Sequence, residues 1–508
     1  MKKSLQTLST VFHFLGSILL LLGVLLLLPV IVVILFGEIG QGLETLLAFL
    51  GASVTAVIIG LLCKWIFPAG VLGEVQAMLI CALGWIFCSA IGAIPFVIGM
   101  NASYLDAFFE TMSGFTTTGI TMFTGLEQIP KSILFWRSFT QWLGGLGILT
   151  FFLAVTFGRR GAYRLFGAES HKIDVGRPVP GLANTLRILW TIYGGFTIFI
   201  LISLVLAGMS VFDSLCHSFT ALSTGGFSPY DASIGHYHLI GHANFIWIEY
   251  ILILGMLMGG TNFIIHYRLF KGERRALWDT SEMKYWWGLI VGFIILILIE
   301  RIISLNALEG LRPFGGLMFW SRLEENFRKV TFQTMAIITT TGFGTEDIGS
   351  PFFGQAARQL FLIMMVIGGC VGSTGGGIKV LRVNILVKLI RREVFRLRTP
   401  PKAVSTVLLD GRPVSTNEVY RVSGLFFMWI TMLVIGGIIT ALLSDHTGYR
   451  SFSGMFSALG NIGPCYIPVA EMGSLHPVIK IVYIFGMLAG RLEILPVLLL
   501  FNRKAWRF

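Results

Sequence analysis

Apolar residues in this chain run together rather than alternating with polar ones. Stretches of about 20 residues or more, the length needed to cross a hydrocarbon layer about 30 Å thick, fall near 11–36, 43–68, 75–99, 133–158, 185–209, 244–267, 286–305, 355–388, 419–443 and 476–501. Each of the ten predicts a membrane-spanning helix. The first is too long for a secretory signal core and lacks a small-residue cleavage site, so it reads as a retained span. The eighth is interrupted by "GGCVGSTGGGIKVLR", Gly368 to Arg382, which holds six glycines. A glycine costs a helix interior roughly 1 kcal/mol relative to alanine, and unwound backbone at membrane depth is tolerated only against protein or a water-filled cavity. The interruption therefore predicts pore lining or a binding loop.

A second pattern lies between the later runs and occurs four times: "SYLDAFFETMSGFTTTGIT" from Ser103, "SVFDSLCHSFTALSTGGFS" from Ser210, "NFRKVTFQTMAIITTTGFG" from Asn326 and "GYRSFSGMFSALGNIGPCY" from Gly448. Each comprises about three helical turns, a small tripeptide ending in glycine, and a short return to the next run. About 12 residues of helix reach only about 18 Å, so these segments dip into the bilayer and come back. Counting crossings from a cytoplasmic Lys2 and Lys3 puts all four dips on the outer side. Their C-termini, the partly negative ends, then aim at mid-membrane, which suits a cation. The expected fold is an all-α polytopic membrane protein, with four fused units of span, pore loop and span around one central pore, plus two N-terminal spans. The expected boundaries are 1–70 for the N-terminal pair and 71–180, 181–280, 281–402 and 403–508 for the four units.

Composition supports this class. Of 508 residues, 55% are hydrophobic and only 13% charged, which fits no soluble domain of this size. The net charge of +12 collects around Arg159, Arg160 and Arg164, then Arg268 to Arg275, then Lys388 to Lys402, then Arg503 to Arg507. All of these fall on the side of Lys2 and Lys3, so the charge reads as orientation, with both termini cytoplasmic, and not as a nucleic-acid site. Cys63, Cys81, Cys88, Cys216, Cys370 and Cys465 are scattered and suggest neither disulfides nor zinc. His217, His236, His238 and His242 have no ligand spacing. No HExxH, serine–histidine set or paired carboxylate supports an enzyme.

Aligned on glycine, the tripeptides are Thr117-Thr118-Gly119, Ser223-Thr224-Gly225, Thr340-Thr341-Gly342 and Asn461-Ile462-Gly463. Backbone carbonyls from several loops can replace the hydration shell of a monovalent cation without a full charge that would trap it. Glycine lets those carbonyls turn inward, and short hydroxyls add ligands or brace the loop. In the interrupted eighth run, Gly372, Gly375, Gly376 and Gly377 permit close packing and hinging beneath the turns, while Ser373 and Thr374 offer oxygens; the loop can plug a pore. It lacks the Gly-Lys-Ser/Thr order of a phosphate loop, since Ile378 precedes Lys379. Lys379 and Arg382 read as anchors of the resumed helix. Arg491, deep in the last run, needs a partner or a cavity, with Glu493 the nearest candidate. Asp106, Glu110 and Asp213 read as caps of the dipping helices.

The motifs "SGFTTTGIT", "STGGFS", "GGTNF", "TTTGFGTED", "GSTGGGIKVLR", "GNIGP" and "AGRLEILPVLLLF" resemble the TrkH/KtrB family of bacterial potassium-uptake proteins over almost the whole chain, and the two extra N-terminal spans resemble its TrkH branch. The resemblance implies a potassium filter at Gly119, Gly225, Gly342 and Gly463. It also implies that the loop 368–378 is a gate, and that Arg491 is a pore-facing barrier charge. Cys370 and Cys465 stand where the family usually has smaller residues. Potassium is the implied substrate, with no covalently bound cofactor. The implied partners are a TrkA-type cytosolic nucleotide-binding subunit and a second copy of the chain, in a bacterial inner membrane. A secondary transporter that couples potassium entry to protons or sodium is the alternative, although such carriers usually show two inverted repeats.

Overall fold

The computed structural model describes residues 2–40, 43–70, 72–147, 150, 182–309, 317–400 and 405–506. Among these, regular structure is helical except for a hairpin of Leu408–Leu409 with Arg412–Pro413 and a bridge between Ile367 and Ile378. Six of the described helices are long and apolar enough to cross a membrane: Thr7–Leu35, Glu44–Ile66, Glu74–Met100, Asn184–Leu206, Ser281–Ser304 and Thr416–Leu442. The helix Glu44–Ile66 exposes Leu47, Leu50, Val54, Ile58, Leu61 and Trp65 in one stripe along its length. A continuous apolar stripe of that kind calls for a lipid surround.

Three further runs, one of them expected to be interrupted, are built from shorter pieces. The run 244–267 divides into Phe245–Gly260 and Phe263–Phe270, bent by 103°. This corrects the expectation of one unbroken helix, because Asn262 starts the second piece by accepting a hydrogen bond from the Ile264 amide at 2.8 Å. The run 355–388 breaks, as expected, between Gln355–Val366 and Val380–Arg396. The last run also breaks. Helix Pro477–Leu492 ends at Glu493 and Ile494, which take φ of 61° and 69°, before Leu495–Phe501 resumes. Pro496 forces this, since its ring would clash with the Leu492 carbonyl and it has no N–H to donate. The fourth run is helical over Lys131–Gly145, and most of its remainder, with Arg159, Arg160 and Arg164, lies outside the described residues.

The four segments expected to dip are the helices Tyr104–Phe115, Val211–Leu222, Leu317–Ile338 and Gly448–Gly460. The third has 22 residues rather than about three turns, because nothing from Leu317 onward interrupts a helix. Ser103 and Ser210 cap the first two. Their hydroxyls accept from the amides of Asp106 and Asp213 at 3.2 and 3.1 Å, and donate to the same residues' carboxylates at 2.7 Å. The acids thus act in the first turn, reciprocally with the serines. Glu110, expected to be a cap, instead pairs with Arg137 in the interior at 2.6 Å.

Two buried clusters divide the interior. One joins the N-terminal helices to the first and fourth dips, and the other surrounds the second and third. Glu38 ties the N-terminal hairpin to the rest by accepting from the Ser132 amide at 2.9 Å and the Ser132 hydroxyl at 2.5 Å. In the second cluster Arg328 pairs with Glu249, both 3% exposed, and also reaches the more exposed Glu324 at 2.9 Å.

Breaking a buried pair from one side costs about 3–5 kcal/mol, whereas replacing both partners by apolar residues costs far less. Glu249→Ala is expected to sit at the low end, about 3 kcal/mol, because Glu324 remains for Arg328. The double change Glu249→Leu with Arg328→Met should recover most of the loss in a thermal melt of the detergent-solubilised protein.

Candidate ion-conduction site

Each dipping helix ends in the same pair of hydrogen bonds. After Tyr104–Phe115 the Thr117 amide donates to Gly114 O at 2.9 Å and the Thr118 amide to Ser113 O at 2.8 Å. Thr224 and Gly225 repeat this with Ala221 and Thr220, Thr340 and Thr341 with Ile337 and Ala336, and Asn461 and Ile462 with Ala458 and Ser457. This double closure places the residue after the helix cap in the left-handed region. Thr117, Thr224, Thr340 and Asn461 accordingly take φ of 55°, 54°, 60° and 55°. Two residues later the chain is left-handed again, at Gly119, Gly226, Gly342 and Gly463, with φ of 84°, 78°, 83° and 105°.

The second turn is therefore shifted by one against an alignment on its first glycine. Gly226, not Gly225, matches Gly119, Gly342 and Gly463; Gly225 matches Thr118, and Ser223 is the helix cap. The double glycine in "STGG" was the available signal, but spacing alone could not choose between its members.

The four corners close on one another. A Cβ on Gly119 would strike the carbonyl oxygen of Gly225, one on Gly226 that of Thr341, one on Gly342 that of Ile462, and one on Gly463 would lie 3.0 Å from that of Thr118. Each glycine thus faces the middle carbonyl of the next turn, in the cyclic order first, second, third, fourth, first. Four backbone segments meet around a common axis, too close for any side chain at the glycines.

Polar side chains hold this ring from outside. Gln141 donates to Gly225 O at 2.7 Å and accepts from the Phe227 amide at 3.0 Å. Glu110 accepts from the Met122 amide at 2.8 Å, and its partner Arg137 reaches Ser228 O at 2.9 Å, so one buried pair braces the exits of the first two turns. The hydroxyls of Thr116 and Thr118, and of Thr339 and Thr341, pair at 2.7 Å. Sequence reasoning missed Gln141 and Arg137, which sit in a run read only as a span.

Beneath the ring lies the loop between Val366 and Val380. Its backbone amides use carbonyls left over where Phe245–Gly260 ends: Cys370 N donates to Gly260 O at 3.0 Å and Thr374 N to Gly259 O at 3.1 Å. The Thr374 hydroxyl also lies 3.1 Å from that of Thr224, and Gly376 N donates to the Thr340 hydroxyl at 2.9 Å. Asn461 donates to the Thr118 hydroxyl at 2.8 Å, and its side chain occupies the position that a Cβ on Gly376 would need. Arg491 donates to the Thr117 hydroxyl at 3.0 Å, to the Thr374 carbonyl, and to Gly144 O and Gly145 O at 2.5 and 2.6 Å. The four left-handed residues thus all direct side chains at the loop or at Arg491.

The sequence profile of the TrkH family, described as cation transport protein, matches residues 75–507. The chain belongs to this family. The Trk system potassium uptake protein TrkH of Escherichia coli K12 is 33% identical over 445 residues, 86% of this chain and 87% of that protein. That of Vibrio parahaemolyticus is 32% identical over 517 residues, 98% of this chain and 99% of that one. The crystal structure of the potassium transporter TrkH from Vibrio parahaemolyticus matches with a TM-score of 0.82 at 30% identity, covering 98% of this chain and 100% of that one. With its apolar helices, this member of a cation-transport family is a membrane protein.

Of the other residues singled out from sequence, Ser373 serves the loop itself, accepting from the Gly375 amide at 3.3 Å, and Lys379 donates to the Gly375 carbonyl. Glu493 pairs with Arg382. His217 is buried between the Asp213 carbonyl at 2.8 Å and the Ser228 hydroxyl at 3.2 Å.

The register of the second turn yields a direct comparison. A Cβ on Gly226 would meet backbone at Thr341, whereas one on Gly225, which is not left-handed, would meet the Gln141 carboxamide and displace its two bonds to the turn. Gly226→Ala is therefore expected to be more damaging than Gly225→Ala by at least about 1–2 kcal/mol, the cost of a left-handed alanine alone. Melting temperature and rubidium uptake of the two variants check this.

Proposed function

We propose that the chain carries potassium into the cell through the ring of turns, and that the loop 368–378 is its gate. The observation that carries the reading is the closed cycle of glycine against carbonyl. Middle carbonyls from Thr118, Gly225, Thr341 and Ile462, one per turn, would supply the oxygen ligands that a dehydrated monovalent cation needs. The C-terminal ends of the four helices add their partial negative charge. No carboxylate stands in the ring, so the ion is bound by dipoles and can leave. The four units of span, pore loop and span, 71–180, 181–280, 281–402 and 403–508, then surround one pore, with residues 1–70 as an added pair of spans. This agrees with the potassium transport named for the bacterial relatives.

The loop and Arg491 supply the block. A guanidinium beneath the ring raises the barrier to a cation, and the bonds from Thr374 and Gly376 to the second and third turns keep the loop under it. Opening must break these bonds together, and the glycines at 372, 375, 376 and 377 leave the backbone free to refold when they break. The cytoplasmic turns are too short to contain a nucleotide-binding domain. The regulator is therefore a separate cytosolic subunit of TrkA type, acting on a homodimer in the bacterial inner membrane with both termini on the cytoplasmic side.

Gly342→Ser should weaken discrimination of potassium against sodium, read as the shift in reversal potential of reconstituted protein; an unchanged preference in a folded variant would sink the filter assignment. Deleting Gly375 to Gly377 should raise basal conductance in the absence of any partner. Flux that follows the electrochemical gradient supports the channel reading, and saturable flux with strict proton or sodium dependence supports coupled transport instead.

A further inference from the structure

The loop is held at a point that the ring does not explain. Glu282, 6% exposed in the first turn of Ser281–Glu309, accepts a hydrogen bond from the Val371 amide at 2.7 Å. Val371 lies in the loop's first half, away from Thr374 and Gly376, which face the turns. A buried carboxylate that accepts a backbone N–H is costly to leave unmatched, so the bond fixes the loop to the end of that helix.

The same helix end is held from the other side. The Ser281 amide, one residue before Glu282, donates to the Asp410 carboxylate at 2.7 Å. Asp410 is at the tip of the hairpin formed by Leu408–Leu409 and Arg412–Pro413, where Asp410 and Gly411 take φ of 48° and 78°. A two-residue turn with both centres left-handed matches strand twist and is stiff. The hairpin is also footed on the loop's other arm. Val407 is buried with Ile385, Val419 and Val422, Leu409 packs against that cluster, and Lys388 donates to Leu408 O at 2.8 Å. Ile385 and Lys388 belong to Val380–Arg396, the helix into which the loop runs. One small element thus grips the loop at both ends, through Glu282 to Val371 and through the following helix to Gly377. Asp410, Gly411 and Arg412 are exposed, so the grip can be reached from outside the membrane.

We propose that Glu282 is a positioning residue for the intramembrane loop and that the hairpin 408–413 is the handle by which a cytosolic partner moves it. The inference rests on the reading of the loop as the gate. Pulling the hairpin draws Ser281 and Glu282 away from Val371 and shifts the helix after Gly377 with the same motion, so both arms release together. A serial link of this kind makes its members non-additive.

The test is rubidium flux and single-channel recording of the full chain in proteoliposomes with no partner added. Glu282→Ala and Asp410→Ala should each raise basal open probability by about ten-fold or more, the weight of one hydrogen bond involving a charged group, with unitary current unchanged. Glu282→Gln keeps an acceptor oxygen and should fall between parent and alanine. The double alanine variant should gain no more than the larger single effect. A general loss of packing would lower flux or unitary current and would not be rescued by glutamine. If Glu282→Ala fails to fold, Asp410→Ala and Glu282→Gln still decide. Folded variants with the parent's open probability would overturn the proposal. The deletion of Gly375 to Gly377 separates the two readings: if it opens the pore while the Glu282 and Asp410 variants do not, only the handle fails; if it is silent, the gate fails.

Discussion

Four backbone corners approach so closely that no side chain fits between them, and the rest of the molecule is arranged to make that approach possible. Each corner brings a helix end, and helix ends carry unpaired carbonyls whose partial negative charges repel one another. Helices do not gather in this way for their own stability. They are held by buried side-chain braces such as Gln141 on Gly225 and the Glu110–Arg137 pair across the first two exits, and by two apolar clusters meeting at the ring.

Strain at the left-handed corners carries the same logic one layer down. A β-branched residue at positive φ costs of order 1–3 kcal/mol, and glycine would remove that cost. Threonine nevertheless stands there in three turns and asparagine in the fourth. The oxygens are in use: Thr117 receives Arg491, Thr340 receives the Gly376 amide, and Thr224 meets Thr374. The residues that shape the ring are thus also those that hold the loop beneath it.

Much of this was legible from residues alone. Long apolar runs gave the membrane class, and the fourfold "helix, small residues, glycine" pattern located the turns. The six glycines after Ile367 marked the broken helix. What escaped was always a matter of spatial partner or register. The bend at Thr261–Asn262 hid inside an apolar run of adequate length. The second turn offered two adjacent glycines, and only the backbone angles single out Gly226. Glu110 looked like a cap, yet its partner Arg137 lies 27 positions on, inside a run read only as a span.

Local chemistry therefore determined which segments cross, dip or break, because hydropathy, helix length and glycine content act on the chain where they occur. Tertiary structure alone decided which carbonyl meets which glycine, which threonine receives which donor, and that a hairpin near residue 410 touches a helix start near 281. Those contacts join positions up to several hundred residues apart, and their energies depend on distance in space rather than on separation along the chain.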